Sequence, residues 1–303
     1  MGTSLPACVF PRLFAACMFF LALVPAIALA EEEPALTAAS NRPLPEATDL
    51  LREVQKNQKN LESLVKNYTY TKKVTEQETD KVGNIKKETV EEFEVLFHGP
   101  HEINRLISKN RVPLNEAERK KEQEKVDKKI AELDKRDASG DKKLKEEVLT
   151  IDSFLRCSRF INGRRAAFRG KEMVVYDFEP APRCDAQNRA EKALGKVGGV
   201  IWIDEDDKEV VRMEVRLIDG LSFGGFLASV QKGSQLIFEQ QKINNEIWLP
   251  SSGEIHYGAR LLFKGMHGNI LFHYADYKKF RVDTTFTVVD GSTPPQPEQH
   301  NKP

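Results

Sequence analysis

The segment 199–280 constrains the fold of this chain more than any other. Within it Val211, Met213, Val215 and Leu217 alternate with Arg212, Glu214 and Arg216. A period of two puts the apolar side chains on one face and the ions on the other, the pattern of a half-buried antiparallel strand. Residues 200–204 supply its neighbour across the turn Glu205-Asp206-Asp207-Lys208. Further strands are expected over 235–242, 246–249, 255–263, 270–277 and 280–289. Their turns are read at Asn244-Asn245, Ser251-Ser252-Gly253 and Met266-His267-Gly268. The run 221–227, with Phe223 and Phe226 flanking Gly224-Gly225, is a kinked strand or a flexible flap.

Upstream, Ala47, Leu50, Leu51, Val54, Leu61, Leu64 and Val65 recur at helical spacing, giving an amphipathic helix that has to lay its stripe on something. The sheet is the obvious partner. Tyr68 to Val74 and Ile85 to His98 read as a long hairpin, with Phe93, Val95 and Phe97 on one face. A third strand is expected over 102–108. Segment 115–147 is different, since 22 of its 33 residues are charged, 11 of each sign. Its only apolar seam is Val126, Ile130 and Leu133, so it reads as a solvated helix with one thin contact line, broken near Ser139-Gly140. A short buried helix over 149–160, a hairpin over 164–178 and a weak helix or loop over 186–195 lead back to the opening segment. The order predicts an α+β fold: a strongly curved antiparallel half-barrel sheet covered by helices, with a charged helical insertion.

The first thirty residues are read as outside this fold. Arg12 precedes an apolar run, and Ala28-Leu29-Ala30 is a small-x-small cleavage site, so 1–30 is a signal peptide cut after Ala30. The expected location is periplasmic or secreted, with no transmembrane span after cleavage. The remaining division is a flexible leader at 31–44, a single half-barrel domain at 45–289 carrying the insertion at 115–147, and a disordered tail at 290–303. Removing Cys8 and Cys17 with the signal leaves Cys157 and Cys184. These are either one disulfide or two unpaired thiols, and an oxidising compartment favours the disulfide.

Chemistry-bearing motifs are sparse. Neither a nucleophile elbow, a P-loop nor a dinucleotide fingerprint is present, and no cofactor is expected. His98-Gly99-Pro100-His101 holds the only close histidine pair. Zinc sites use three or four ligands, so this is read as a turn with two exposed imidazoles and no metal is expected. A net charge of zero gives no electrostatic reason to bind nucleic acid. The chain is therefore read as a non-enzyme. What it does offer is apolar surface at strand spacing. The cavity lining is expected from Phe93, Val95, Phe97, Val211, Met213, Val215, Leu217, Phe223, Phe226, Tyr257, Leu261 and Phe263.

Several of these segments resemble a known superfamily. They are the signal peptide, the first amphipathic helix, the Tyr68–Tyr70 hairpin and Gly199-Val200-Ile201-Trp202-Ile203-Asp204. Val211-Arg212-Met213-Glu214, Ile247-Trp248-Leu249-Pro250 and Tyr277-Lys278-Lys279-Phe280 complete the pattern. The superfamily is the LolA/LolB/RseB-like group of periplasmic lipoprotein carriers and sensors. The resemblance implies a curved antiparallel sheet closed by helices around a hydrophobic cavity. It also implies a binder or carrier of lipid or lipoprotein acyl chains. The alternative is a periplasmic sensor or interaction scaffold whose protein partner docks on the helix at 115–147.

Overall fold

The computed structural model describes residues 42–99, 101–139, 151–223 and 227–279. The readings made for the signal peptide, most of the leader, the strand at 280–289 and the tail lie outside the described residues.

Helix α1 (Ala47–Val65) leads into the hairpin of β1 (Tyr68–Thr79) and β2 (Ile85–His98). Strands β3 (His101–Lys109) and β4 (Val112–Pro113) follow, then α2 (Glu116–Ser139) and α3 (Ile151–Cys157). The chain returns as β5 (Ser158–Phe168), β6 (Lys171–Pro180), α4 (Arg189–Leu194), β7 (Val197–Asp204) and β8 (Glu209–Leu217). Two short strands, β9 (Leu221–Phe223) and β10 (Ala228–Val230), precede the long β11 (Gln235–Ile243), β12 (Ile247–Leu261) and β13 (Lys264–Lys279). One antiparallel sheet takes up all thirteen strands in the order β4-β3-β2-β1-β13-β12-β11-β8-β7-β6-β5, with β10 paired to β12 and β9 paired to β10. The sheet is curled and not closed, so the fold is α+β as the sequence predicts.

The core lies on one face of β6, β7, β8, β11 and β12, beneath α1, α3 and α4. Leu50, Leu51 and Val54 of α1 meet Val174, Ile201, Ile203, Val215 and Leu217 there, and all are buried. Each such aliphatic side chain contributes about 1.5–3 kcal/mol on leaving water. A second small cluster, Met173, Val175 and Val211 under Phe168, Trp202 and Trp248, lies apart from it.

Helix ends are set by side chains. Asn115 Oδ1 accepts from the Glu118 N–H at 3.0 Å, and Glu118 Oε2 accepts from the Asn115 N–H at 2.9 Å. This reciprocal capping box starts α2. Asn188 caps α4, accepting from the Glu191 N–H at 2.8 Å, while Glu191 Oε2 accepts from the Gln187 N–H at 2.8 Å. The α2 seam is used: Val126 and Leu133 are buried against Ile103, with Ile130 and Leu96 beside them. Glu122 adds a polar tie, accepting from the Leu106 N–H at 3.3 Å and pairing with Lys125 at 2.6 Å. Cys157, at the end of α3, is joined to Cys184 by a disulfide with a Cα–Cα distance of 4.8 Å.

Three expectations need correction. Ser251-Ser252-Gly253 is no turn, because β12 runs unbroken through it. Ser252 opposes Glu239 and Pro250 opposes Gln240, leaving Ser251 as the extra residue of a β-bulge. Met266-His267-Gly268 is no turn either, since it pairs as strand with 257–259. The chain reverses earlier, at Leu262-Phe263, between the paired Leu261 and Lys264, with Leu262 at φ 53°. Turns with positive φ usually recruit Gly or Asn, so two large apolar residues gave no turn signal. Finally, the helix read over 149–160 gives way to strand at Ser158.

Candidate functional site

The register of β2, β1 and β13 assembles an aromatic surface. Phe93 stands opposite Lys72, and Lys72 opposite Tyr274; Val74 stands opposite Phe272. Residues directly opposite one another in antiparallel strands share a face. Phe93, Phe272 and Tyr274 therefore point the same way, and Phe272 packs against the helix-covered core. Tyr70 sits at the centre. Its ring centroid lies 6.4 Å from Phe97, 6.0 Å from Tyr274 and 5.1 Å from Tyr277, and Phe272 stacks on Tyr274 at 6.5 Å. Tyr70 and Val95 are buried, whereas Phe93, Phe97, Phe272, Tyr274 and Tyr277 each keep part of their surface exposed. The helices on this face pack on β5, β7, β8 and β12. Among the described residues the β13-β1-β2 arm is lined by rings, with the end of α1 (Leu64 and Val65) reaching it only beside Tyr277.

One ion pair crosses this surface, Lys72 Nζ to Glu102 Oε1 at 3.0 Å. Burial, and next the charge of Glu102, raise the Tyr70 hydroxyl above its ordinary value, and burial does the same to Tyr277. Both phenols stay protonated throughout the neutral range. The Tyr277 hydroxyl donates to the Pro250 carbonyl. The surface thus offers stacking and apolar contact around one ion pair.

The expected cavity residues divide into groups. Phe93, Val95 and Phe97 belong to the aromatic arm. Val215 and Leu217 are buried in the core beneath the helices, with Met213 packed against them. Val211 departs from its predicted face. Trp202 opposes Arg212 and Ile203 opposes Val210, so Val211 is the unpaired residue of a bulge and turns to Met173, Val175, Trp202 and Trp248. Tyr257 lines a shallow open cleft of about 200 Å³ with Asp80, Lys81, Gln231, Ser234 and His267. Leu261 and Phe263 line no interior: they are 38% and 95% exposed at the hairpin tip, because the turn falls at Leu262-Phe263. Phe223 ends β9 with its side chain outside the described residues, and Phe226 lies outside them altogether.

The histidine pair also differs from expectation. Neither imidazole is a free turn residue: His98 Nε2 lies 2.7 Å from Asp134 Oδ1, and His101 Nε2 lies 2.7 Å from Asp137 Oδ2. Both aspartates come from α2, so the pair clasps the charged helix to the β2–β3 turn. Among the described residues, no group of three or more His, Cys, Asp or Glu side chains is arranged to hold a metal ion.

A polar site that the sequence did not announce lies under α1. Asn57 Nδ2 donates to the Asp207 carbonyl at 2.9 Å and to Glu209 Oε1 at 3.0 Å. Glu209 is 1% exposed. Burial, then the charge of Asp207, push its carboxyl up to about 8, against the opposing hydrogen bonds from Asn57 and Val210. Asp207 goes the other way. Burial works against its ionised form, but Lys242 at 2.7 Å and the Trp248 indole at 2.8 Å outweigh it and lower its value. In the sequence Glu209 looks like any charged residue after a turn; its burial depends on α1, some 150 residues earlier.

No protein-family model and no curated protein matches the chain. Among solved structures, a DUF1329 family protein from Desulfovibrio piger aligns at TM-score 0.32 and 9% identity, covering 78% of this chain and 93% of that one. MucB of Pseudomonas aeruginosa, in a complex with MucA, aligns at TM-score 0.22 and 7% identity, covering 78% of this chain and 100% of that one. A second structure of MucB with periplasmic MucA gives TM-score 0.21 and 8% identity, with the same coverage. Likenesses at these TM-scores decide neither family nor function.

Proposed function

We propose that this chain is an exported, non-enzymatic binder of acyl chains, and that the aromatic arm on β13, β1 and β2 is where the chain lies. The observation that carries this reading is the cluster of partly exposed Phe272, Tyr274 and Phe97 around buried Tyr70, with Phe93 on the same face across Lys72, beside a core that the helices fill. Each methylene moved from water onto such a surface contributes about 0.8 kcal/mol. The seat differs from the one the sequence suggested: Val215 and Leu217 are core, so the ligand lies along the ring-lined arm instead of under α1. Export rests on the sequence pattern at 1–30, and the half-barrel is taken as one domain over 45–289.

Titration with the fluorescent fatty acid cis-parinaric acid tests it. Saturable binding is expected, weakened about tenfold when Phe97→Ser and Tyr274→Ser are combined in a variant that keeps its thermal midpoint. A delipidated chain that leaves the probe dark, or a variant that binds it equally well, overturns the reading.

A protein-docking role is the second reading, favoured by the exposed charged surface of α2. Charge reversal at Lys120, Lys128 and Lys129, all exposed, should then abolish partner capture and leave the fatty-acid titration unchanged. Capture that survives the reversal removes α2 as the docking element.

A further inference from the structure

Nine large hydrophobic residues are exposed among the described residues, and six of them gather at one end of the sheet. Register places them together. Thr79, the last residue of β1, stands opposite His267, so the β1–β2 turn lies level with the start of β13. The β12–β13 turn projects a few residues further, because Leu261 pairs with Lys264 beyond it. Ala228 pairs with Leu261, and the Leu262 N–H donates to the Leu227 carbonyl at 2.6 Å, which seats Leu227 beside that turn. The end therefore carries Val82 and Ile85 on one hairpin, Leu261, Leu262 and Phe263 on the next, and Leu227 alongside. Phe263 is 95% exposed, Val82 70% and Leu262 50%.

Cations surround these residues. Arg260, Lys264 and Lys81 are exposed, and none of the three has an ion-pair partner among the described residues. Arg260 and Lys264 flank Leu261-Leu262-Phe263 directly in sequence. Elsewhere on the molecule most basic side chains beside the sheet are matched: Arg159 to Glu179, Arg164 to Asp177, Arg165 to Glu172 and Glu205. Asp80, on the turn beside Lys81, is engaged by the Val82 and Asn84 N–H groups at 2.9 Å. Apolar side chains projecting from a hairpin tip between exposed cations that make no ion pair among the described residues are complementary to one kind of surface. Anionic headgroups meet the cations, and the acyl boundary just beneath them takes the apolar side chains.

We infer that this end of the sheet docks on an anionic phospholipid membrane. Phe263 and Leu262 enter the headgroup–acyl boundary, and Arg260, Lys264 and Lys81 meet lipid phosphates. No helix among the described residues is long and apolar enough to cross a bilayer. The contact is peripheral and reversible, and it is weakened by salt because its cations are exposed. It stands on a different part of the molecule from the aromatic arm and does not depend on the acyl-binding reading.

The test is flotation of the full chain with vesicles of phosphatidylcholine containing about 30 mol % phosphatidylglycerol, against pure phosphatidylcholine. The chain should float with the anionic vesicles. Phe263→Asp should cut the bound fraction about tenfold or more, since a wholly exposed ring loses its apolar insertion. Arg260→Glu with Lys264→Glu should remove the preference for anionic lipid. In Phe263→Trp, the emission difference from the parent, which subtracts Trp202 and Trp248, should shift to the blue on vesicle addition and be quenched by brominated lipid. All these positions are exposed, so the variants should keep the parent thermal midpoint and the parent cis-parinaric acid titration. Failure of docking and failure of acyl binding are thereby read separately. The inference is overturned if the parent chain stays with the unbound fraction, or if Phe263→Asp floats equally. It also falls if the parent is a dimer that Phe263→Asp converts to a monomer without any vesicle binding, which would make a second copy the occupant of the tip.

Discussion

Glu209 shows how one side chain sets a pH dependence. Its carboxyl titrates at about 8 in the folded protein, against an ordinary 4.5. Below 4.5 it is protonated whether the chain is folded or not, and contributes nothing to the dependence. Between 4.5 and 8 the unfolded chain releases the proton and the folded chain retains it, so stability falls as pH rises through that window and levels off above it. The loss is on the order of 3–5 kcal/mol. Glu209→Gln keeps an oxygen to accept from Asn57 and cannot ionise. Its urea midpoint should therefore exceed the parent's by a growing margin from pH 5 to pH 9, and parallel profiles would remove Glu209 from the account. Gly199 makes a second point at this scale. A Cβ there would overlap the Glu214 carbonyl oxygen on the neighbouring strand. Gly199→Ala should cost about 3 kcal/mol or more, because the obstacle is backbone and cannot rotate away. Equilibrium unfolding measures it, and a loss below about 1 kcal/mol would show that β7 and β8 separate without difficulty.

Among the elements, α2 and the α3–β5 corner respond differently to change. Helix α2 touches the sheet by a narrow seam: buried Val126 and Leu133, the Glu122 bond to the Leu106 N–H, and the His98–Asp134 and His101–Asp137 contacts. Leu133→Asp places a charge at a position 3% exposed. Amide exchange should accelerate through α2 while the midpoint of global unfolding moves little, because such a seam opens as a local unit. Equal loss of protection in β7 and β8 would mean that α2 belongs to the main cooperative unit. The disulfide links residues separated by 27 positions. Closing a loop of that size stabilises by about 3–4 kcal/mol on chain entropy, so Cys157→Ser with Cys184→Ser should lower stability by about that amount. A midpoint that does not move would show the corner to be held by Phe154, Phe160 and Phe178, whose rings pack edge to face at 5.0–5.3 Å.

For the whole molecule, the strand order assigns β13 a special place. It is the last described strand, yet it lies between β1 and β12 and joins the β4-β3-β2-β1 arm to the remainder of the sheet. Its pairing of Lys279 with Tyr68 closes a loop of most of the chain. Contacts of such separation are made late and slowly, because the entropy of closing the loop must be met before the contact forms. A chain ending at residue 262 should therefore leave β1 and β12 as two long unpaired edges and aggregate, as solubility and near-ultraviolet circular dichroism would report. A soluble, native-like truncation would show that each arm folds without the other.

The sequence by itself determined the class and most of the strands, because side-chain alternation is a local property and burial on one face enforces it. The hairpins at 68–98, 164–178 and 200–217, the α1 stripe and the seam of α2 were all legible in this way. What tertiary structure decided was whatever depends on a residue's partner across the sheet. The bulges at Val211 and Ser251 change a face or replace a turn, and nothing in an alternating string marks them, since each is defined by the strand opposite. The turn at Leu262-Phe263 carries no turn residues, so Leu261 and Phe263, two apolar side chains that read as lining, emerged at an exposed tip. The aromatic arm is half legible. Phe93, Val95 and Phe97 share a face by period alone, but only the β1–β13 register brings Tyr70, Phe272 and Tyr274 to meet them. Local pattern tells a side chain which way to face, and long-range pairing decides what it faces.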